Sequence, residues 1–468
     1  MNNTILIIVL AVYFLAMVGI GWVGKKKYGN SFDNSISAGR NVGVMLFIGA
    51  AVGTHIGNGF VVGGTAGGAA AGLGGIWYGI VCALTYFILA ITVNKRIFEK
   101  GYISLPEFLE EKYSSKLPSL IFSFTTVIGL IGNIGVQIMA GKALFMALGL
   151  NGNLGAVIIT LVVFAYSALS GLWGAYATSV VQVVIIIAGL VGTTIALLAN
   201  GGVAAITSAV ASGAVPAEYL DPFAGGVKPI FMMLIPITLA LIADQGTVQR
   251  INSSRSASVA FKGFMLSFLI MIPVAFMPAF IGMYGATVLN VNDNSTFFAV
   301  AMHALNPWLA AVLIAAVIAA IMSTIDSLVV AITTISLHNI YRGMINPKVS
   351  DKTLSIADKV VTGIVCLVGL LVAISFTNII GLLVGMCAFI AACCFAPFMG
   401  TLYWKRGTTQ GAVASSIVGF VLVILNWTKI LPLPYEEITP IVVSVITYIV
   451  VSLVTKEADI AKAKSAAS

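Results

Sequence analysis

The stretch GAAVGTHIGNGFVVGGTAGGAAAGLGG, residues 49–75, decides how this chain is read. It is apolar enough to enter a bilayer, yet glycine recurs along it, and each glycine in a helix interior costs about 1 kcal/mol relative to alanine. Irregular backbone at membrane depth persists only where protein covers it or where it lines a cavity. Two readings follow. Small residues allow helices to pack closely. Alternatively, the helix is broken and its freed carbonyls face a site. His55 and Asn58 inside the stretch favour the second reading, because polar groups in an apolar span need partners.

The rest of the chain is equally apolar. Of 468 residues, 59% are hydrophobic and 9% charged, against roughly 25% charged in a soluble domain. This excludes a soluble enzyme, a nucleic-acid binder and a disordered chain. A spanning helix needs roughly 20 apolar residues. Thirteen stretches qualify: 4–24, 44–65, 74–94, 118–148, 154–171, 175–199, 229–247, 261–287, 307–338, 359–377, 380–404, 409–428 and 437–455. With the N-terminus outside, 21 of the 24 Lys and Arg residues, Arg250 among them, fall in inner loops, and only Lys142, Lys228 and Lys429 do not. The net charge of +8 is thus a topology signal rather than a nucleic-acid patch. The five cysteines all lie inside spans without CxxC spacing, which reads as packing rather than disulfides or metal ligands.

A second interruption falls in 229–250, PIFMMLIPITLALIADQGTVQR, where Pro236 removes a backbone donor and Asp244, Gln245 and Gly246 end the apolar run. Each interrupted span opens a block of five helices, 44–199 and 229–404. Matched broken helices in two similar halves point to an inverted-repeat secondary transporter with its site where the repeats meet. The chain is then one transmembrane domain over 1–456, with an extra helix at 4–24, two peripheral helices over 409–455 and a short cytoplasmic tail, 457–468.

Ionisable residues within spans are functional candidates by default. They are His55, Lys142, Asp244 and Asp326. Lys142 either snorkels outward or meets an anionic solute, and Asp244 is either a gating group or solvated. Around Asp326 the chain reads AAIMSTIDSLVVAITT, 319–334. At about 100° per residue, Ser323, Thr324, Asp326 and Ser327 fall within an arc of about 160°. These hard oxygens suit a cation such as sodium rather than a soft metal.

Six segments, in order, resemble the sodium:solute symporter family: SISAGRNVG (35–43), ISLPEFLEEKY (103–113), YSALSGLWGAYATSVVQ (166–182), QRINSSRSASVAFKG (249–263), AAIMSTIDS (319–327) and APFMGTLYWKRGTTQGAVASSIVG (396–419). The resemblance spans about 1–455. It implies the all-α LeuT-like fold, five plus five core helices with one helix before and two after. It implies sodium-coupled symport of a small organic solute by alternating access. It also implies a sodium site built from the carbonyls of Gly53, Ile56 and Ala320 and the hydroxyls of Ser323 and Thr324. Many members carry an aspartate where this chain has Ser179, and it serves a second sodium site there. Asp326 and Ser327 match other positions of that site, so the carboxylate has moved between helices, or the second site is lost and Asp326 handles protons. Solute contacts are expected from His55, Gly57, Asn58, Phe60, Trp77 and Gln137, with Asn133 and Lys142 further candidates. A carboxylate, an amino acid or a pantothenate-like solute fits better than a sugar. The expected partners are the solute, sodium ions and the lipid bilayer, with no other cofactor and no obligate protein partner.

Other classes fare worse. There is no GxxxxGK[ST] loop for ATP, no selectivity-filter segment for a channel, no signalling domain for a membrane sensor, and no convincing catalytic set for an enzyme. Proton-coupled symport on the same fold is the alternative that stays open.

Overall fold

The computed structural model describes residues 36–57, 59–113 and 115–455, with scattered positions between Ile5 and Lys26; the side chains of 166–171, Ala319, Ala320 and Ser323 are not described. About half of the expected first span 4–24, Asn58 and the tail 457–468 therefore lie outside the described residues. Among the described residues the fold is helical, with a single isolated bridge, Val42 to Ser254, and no strand. Eight helices are long and apolar enough to cross a membrane, nine if the bent pair Lys228–Ile242 and Gln245–Ser253 counts as one, and five shorter apolar helices accompany them. Large apolar side chains such as Phe124, Leu161, Leu269, Leu367 and Ile446 stand exposed on the outside. Lipid is the solvent that makes such a surface favourable. The chain is a multi-pass membrane protein.

Both expected interruptions are present. Val44–His55 ends at a turn over Ile56 and Gly57, and the chain resumes as the π-turn Gly59–Gly63 and the helix Gly64–Ala71. The second broken helix bends by 53° between Lys228–Ile242 and Gln245–Ser253. Pro236 stays inside the first half, and the break falls seven to eight residues later, at Ala243 and Asp244. There the Asp244 carboxylate accepts the Thr247 N–H at 2.8 Å and starts a new helix. The start of the first broken helix is tied to the end of the second: Val42 N–H donates to Ser253 O at 2.9 Å and Arg255 N–H to Val42 O at 3.1 Å.

Both readings of the glycine-rich stretch hold, in different parts of it. Its second half packs backbone to backbone on the helix Ala257–Val288. A Cβ on Gly68 would sit 2.3 Å from Ala279 O, and one on Gly282 2.0 Å from Thr65 O. No larger side chain permits that approach. The first half is the break.

Elsewhere the helices differ from the spans in extent. Two expected spans, 154–171 and 175–199, run as one helix, Gly152–Ala199, of 48 residues. At 1.5 Å per residue it is about 72 Å long, more than twice the hydrocarbon thickness. Two short helices, Gly202–Ala211 and Thr296–Ala304, lie between the expected spans. At the inner end, residues 101–104 and the helix Leu105–Tyr113 close over the second broken helix. Gln245 accepts from Leu105 N–H at 2.9 Å and donates to Ile103 O at 3.2 Å. Asn252 donates to Tyr102 O at 2.5 Å and Asn339 to Ser104 Oγ at 2.7 Å.

Candidate functional site

A cavity of about 80 Å³ lies at the two breaks. The first broken helix contributes Thr54, His55 and Gly59, the second Asp244, Gly246 and Arg250, Lys116–Ala147 Asn133 and Gln137, and Pro307–Thr333 Thr324 and Ser327. A wider space of about 470 Å³ lies next to it and is lined by Gly63, Met139, Lys142, Asp293, Asn378 and Ile380, among others. Gly59 and Gly63, and Leu383 and Ile380, are one helical turn apart, so the two spaces follow the same faces of the same helices.

Five of the expected residues meet at the first break. Thr324 Oγ1 donates to Gly53 O at 3.4 Å, across 271 positions of sequence. A Cβ on Gly57 would lie 3.2 Å from Gln137 Oε1 and 3.3 Å from Thr324 Oγ1. A Cβ on Gly53 would lie 3.0 Å from Ser179 Cβ and 3.4 Å from its Oγ. Gly53 O is thus the last-turn carbonyl of a helix that stops, met by a hydroxyl from a facing helix. The end of a helix carries unsatisfied carbonyls and partial negative charge. Carbonyl and hydroxyl oxygens there are hard donors that suit a small monovalent cation. Ile56 caps the helix, its N–H donating to Val52 O at 2.7 Å. Ala320 lies on the same helix as Thr324; the Ser323 hydroxyl lies outside the described side chains. Among the described residues no group of three or more His, Cys, Asp or Glu side chains could hold a metal.

The other expected residues part company. Ser327 lines the cavity, but Asp326, buried at the far edge of the arc, lies within electrostatic reach of Cys366 on Asp351–Ser375. Ser179, by contrast, faces Gly53 and donates to Ala175 O at 2.7 Å. His55 lines the cavity and is also held from behind: Tyr86 OH bonds to His55 Nδ1 and to Ala51 O, with the two rings edge to face at 5.0 Å. Phe60 is fully buried against Gly79 and does not line the cavity. Trp77 is not there either. Its indole N–H donates to Pro222 O at 2.7 Å and its ring packs on Phe223 at 5.1 Å, which ties it to the loop around Pro222. Lys142 lines the wider space, not the cavity.

Arg250 was counted above only among the inner-loop charges, and the structure gives it a place in the cavity. It is 4% exposed and lines the cavity, because the second half of the broken helix carries it back beneath Thr54, to whose Oγ1 it donates at 3.4 Å. Tyr78 also enters the cavity unforeseen, its hydroxyl 2.6 Å from where a Gly59 Cβ would be. Arg250 gave no sign of facing a cavity because the helix beyond Asp244 is polar and reads as a loop, and Tyr78 lies in a continuous apolar run.

Known proteins agree with this architecture. A Na+-coupled sialic acid symporter, solved in a substrate-bound outward-open state, superposes with a TM-score of 0.80 over 97% of this chain and 98% of its own, at 19% identity. That likeness bears out the LeuT-like, inverted-repeat fold. In sequence, the osmoregulated proline transporter OpuE of Bacillus subtilis is 26% identical over 90% of this chain and 88% of its own. A sodium/proline symporter of Haemophilus influenzae is 23% identical over 91% and 88%. The high-affinity choline transporter 1 of Caenorhabditis elegans is 23% identical over 91% and 79%. The model of the sodium:solute symporter family matches residues 36–419, and the chain belongs to that family.

Proposed function

We propose that this protein is a sodium-driven symporter that carries a small organic solute inward by alternating access. The observation that carries the reading is the meeting of Thr324 Oγ1 with the Gly53 carbonyl at a helix break, beside Gly57 and Gln137. Sodium, as co-transported cargo, is assigned to the carbonyls of Gly53, Ile56 and Ala320 and the hydroxyls of Ser323 and Thr324. The solute is assigned to the adjoining cavity, where His55 and Gln137 stand, with Gly57 beside Gln137. Thirteen spans with an outer N-terminus, and two opposed repeats over 44–199 and 229–404, complete the reading. One charge moving down 100 mV yields about 2.3 kcal/mol, enough for one or two sodium ions to concentrate a solute without ATP.

Proton coupling is the second reading, and the burial of Asp326 inside a span favours it. Uptake into proteoliposomes under an imposed sodium gradient, and separately under a proton gradient, tests both. Sodium-stimulated accumulation supports the first; accumulation driven by protons alone supports the second.

A further inference from the structure

We propose that the solute presents a carboxylate to Arg250, and that this guanidinium selects for it. The inference rests on the solute-transport reading above and adds the solute's chemistry.

Arg250 is a cation buried in the cavity wall, with Asp244 as its nearest acid but no direct ion-pair contact to it. Its Nη2 reaches Thr54 Oγ1 at 3.4 Å, and its Nη1 is buried with no hydrogen-bond partner. Among the described residues no carboxylate oxygen lies within 4.0 Å of it. Asp244 is close but occupied, because its Oδ2 caps the helix at Thr247 N–H. A buried guanidinium N–H left without a partner is costly, and an oxygen of a bound solute can supply that partner. The planar fork of N–H donors fits a carboxylate better than any neutral solute group.

The surroundings keep that fork accessible. A Cβ on Gly246 would lie 2.9 Å from Asp244 Oδ2 and 3.3 Å from Arg250 Nη2, so the missing side chain leaves open the space between the two charges. Asn133, Gln137, Thr324 and Ser327 complete the polar wall with uncharged groups. A zwitterion can therefore set its carboxylate on Arg250 and its ammonium towards Asp244, whereas a simple carboxylate uses Arg250 alone. Size narrows the choice: about 80 Å³ holds on the order of five to eight water-sized sites, the bulk of a small acid or amino acid.

The experiment pairs carboxylates with their amides on the full-length protein in proteoliposomes: proline with prolinamide, glycine with glycinamide, lactate with lactamide, plus glucose. Uptake confined to carboxylates, and lost by at least tenfold in apparent affinity in Arg250→Gln but only partly in Arg250→Lys, is the expected result. Proline and glycine outcompeting lactate identifies a zwitterion; the reverse identifies a simple acid. An amide or glucose carried as well as the acids, no uptake of any acid, or an unchanged apparent affinity in a folded Arg250→Gln protein overturns the inference. If Arg250→Gln does not fold, the acid–amide comparison on the unaltered protein decides alone. Each arm is run with and without a sodium gradient. Acid-selective uptake that ignores sodium refutes the sodium reading and leaves this one standing, and sodium-driven uptake of uncharged solutes does the opposite.

Discussion

Removing the Thr324 hydroxyl tests the cation site most directly. Thr324 is 2% exposed and its Oγ1 lies 3.4 Å from Gly53 O, so its loss deletes one candidate ligand and leaves that carbonyl facing a methyl group. A buried polar contact of this kind is worth about 1–2 kcal/mol, which is roughly five- to thirty-fold in a binding constant. Thr324→Val keeps the volume and removes the oxygen, whereas Thr324→Ser keeps the oxygen and removes a methyl. The sodium concentration for half-maximal uptake should rise about tenfold in the Val variant and stay within about threefold of the parent in the Ser variant, where the expected cost is below 1 kcal/mol. The assay is initial-rate uptake in proteoliposomes across a sodium series at fixed membrane potential. A Val variant that reaches the membrane in normal amount with unchanged sodium dependence refutes the assignment.

Three further outcomes are expected. Gly57→Leu should abolish uptake, since even its Cβ would stand 3.2 Å from Gln137 Oε1 and 3.3 Å from Thr324 Oγ1; normal transport would make the turn a packing feature only. Asp326→Asn should lose sodium coupling, with partial recovery on adding Ser179→Asp, if the acid serves a cation; intact sodium dependence with lost pH dependence would assign it to protons instead. Trp77→Phe should leave the apparent solute affinity unchanged and lower thermal stability by about 1 kcal/mol through loss of the hydrogen bond to Pro222; a large loss of solute affinity would return Trp77 to the binding site.

Hydropathy made the crossings legible because burial in lipid leaves a signal about 20 residues long. The breaks were legible for a related reason: glycine, histidine and aspartate in an apolar run contradict a continuous helix, and the contradiction marks the place. What the pattern hid is which way a side chain faces. Thr324, Asp326 and Ser327 share one arc of one helix, yet Thr324 and Ser327 line the cavity while Asp326 does not and lies within electrostatic reach of Cys366 on a neighbouring helix. An arc of about 160° is wide enough to touch two neighbours, so periodicity at about 100° per residue does not separate them. Trp77 misled for the opposite reason. An aromatic residue near the broken helix suggests a solute contact, but its indole N–H needed a partner and found it in a loop 145 residues away. Arg250 was hidden by composition, because a polar nine-residue helix such as Gln245–Ser253 resembles a loop until the 53° bend folds it under the first break.

The two breaks also differ in the polarity of the helix end they present. At the first, Val44–His55 presents its carbonyl end, which attracts a cation. At the second, Gln245–Ser253 would present its N–H end, which attracts an anion, but Asp244 already accepts the Thr247 N–H at 2.8 Å. The first end offers carbonyl oxygens and the second is capped by a carboxylate, so on the proposal above an anionic group falls to Arg250. This division yields a test at Asp244 that a merely structural cap does not share. Asparagine caps a helix about as well as aspartate, while alanine costs about 1 kcal/mol. Asp244→Asn should therefore keep the thermal stability of the parent and Asp244→Ala should lower it. Removing the negative charge should also shift the solute preference, improving lactate relative to proline, because the ammonium loses its partner and the carboxylate gains a site of net positive charge. Competition between the two acids against one labelled solute reads that ratio directly. A ratio unchanged in Asp244→Asn would mean that Asp244 caps its helix and does nothing for the solute.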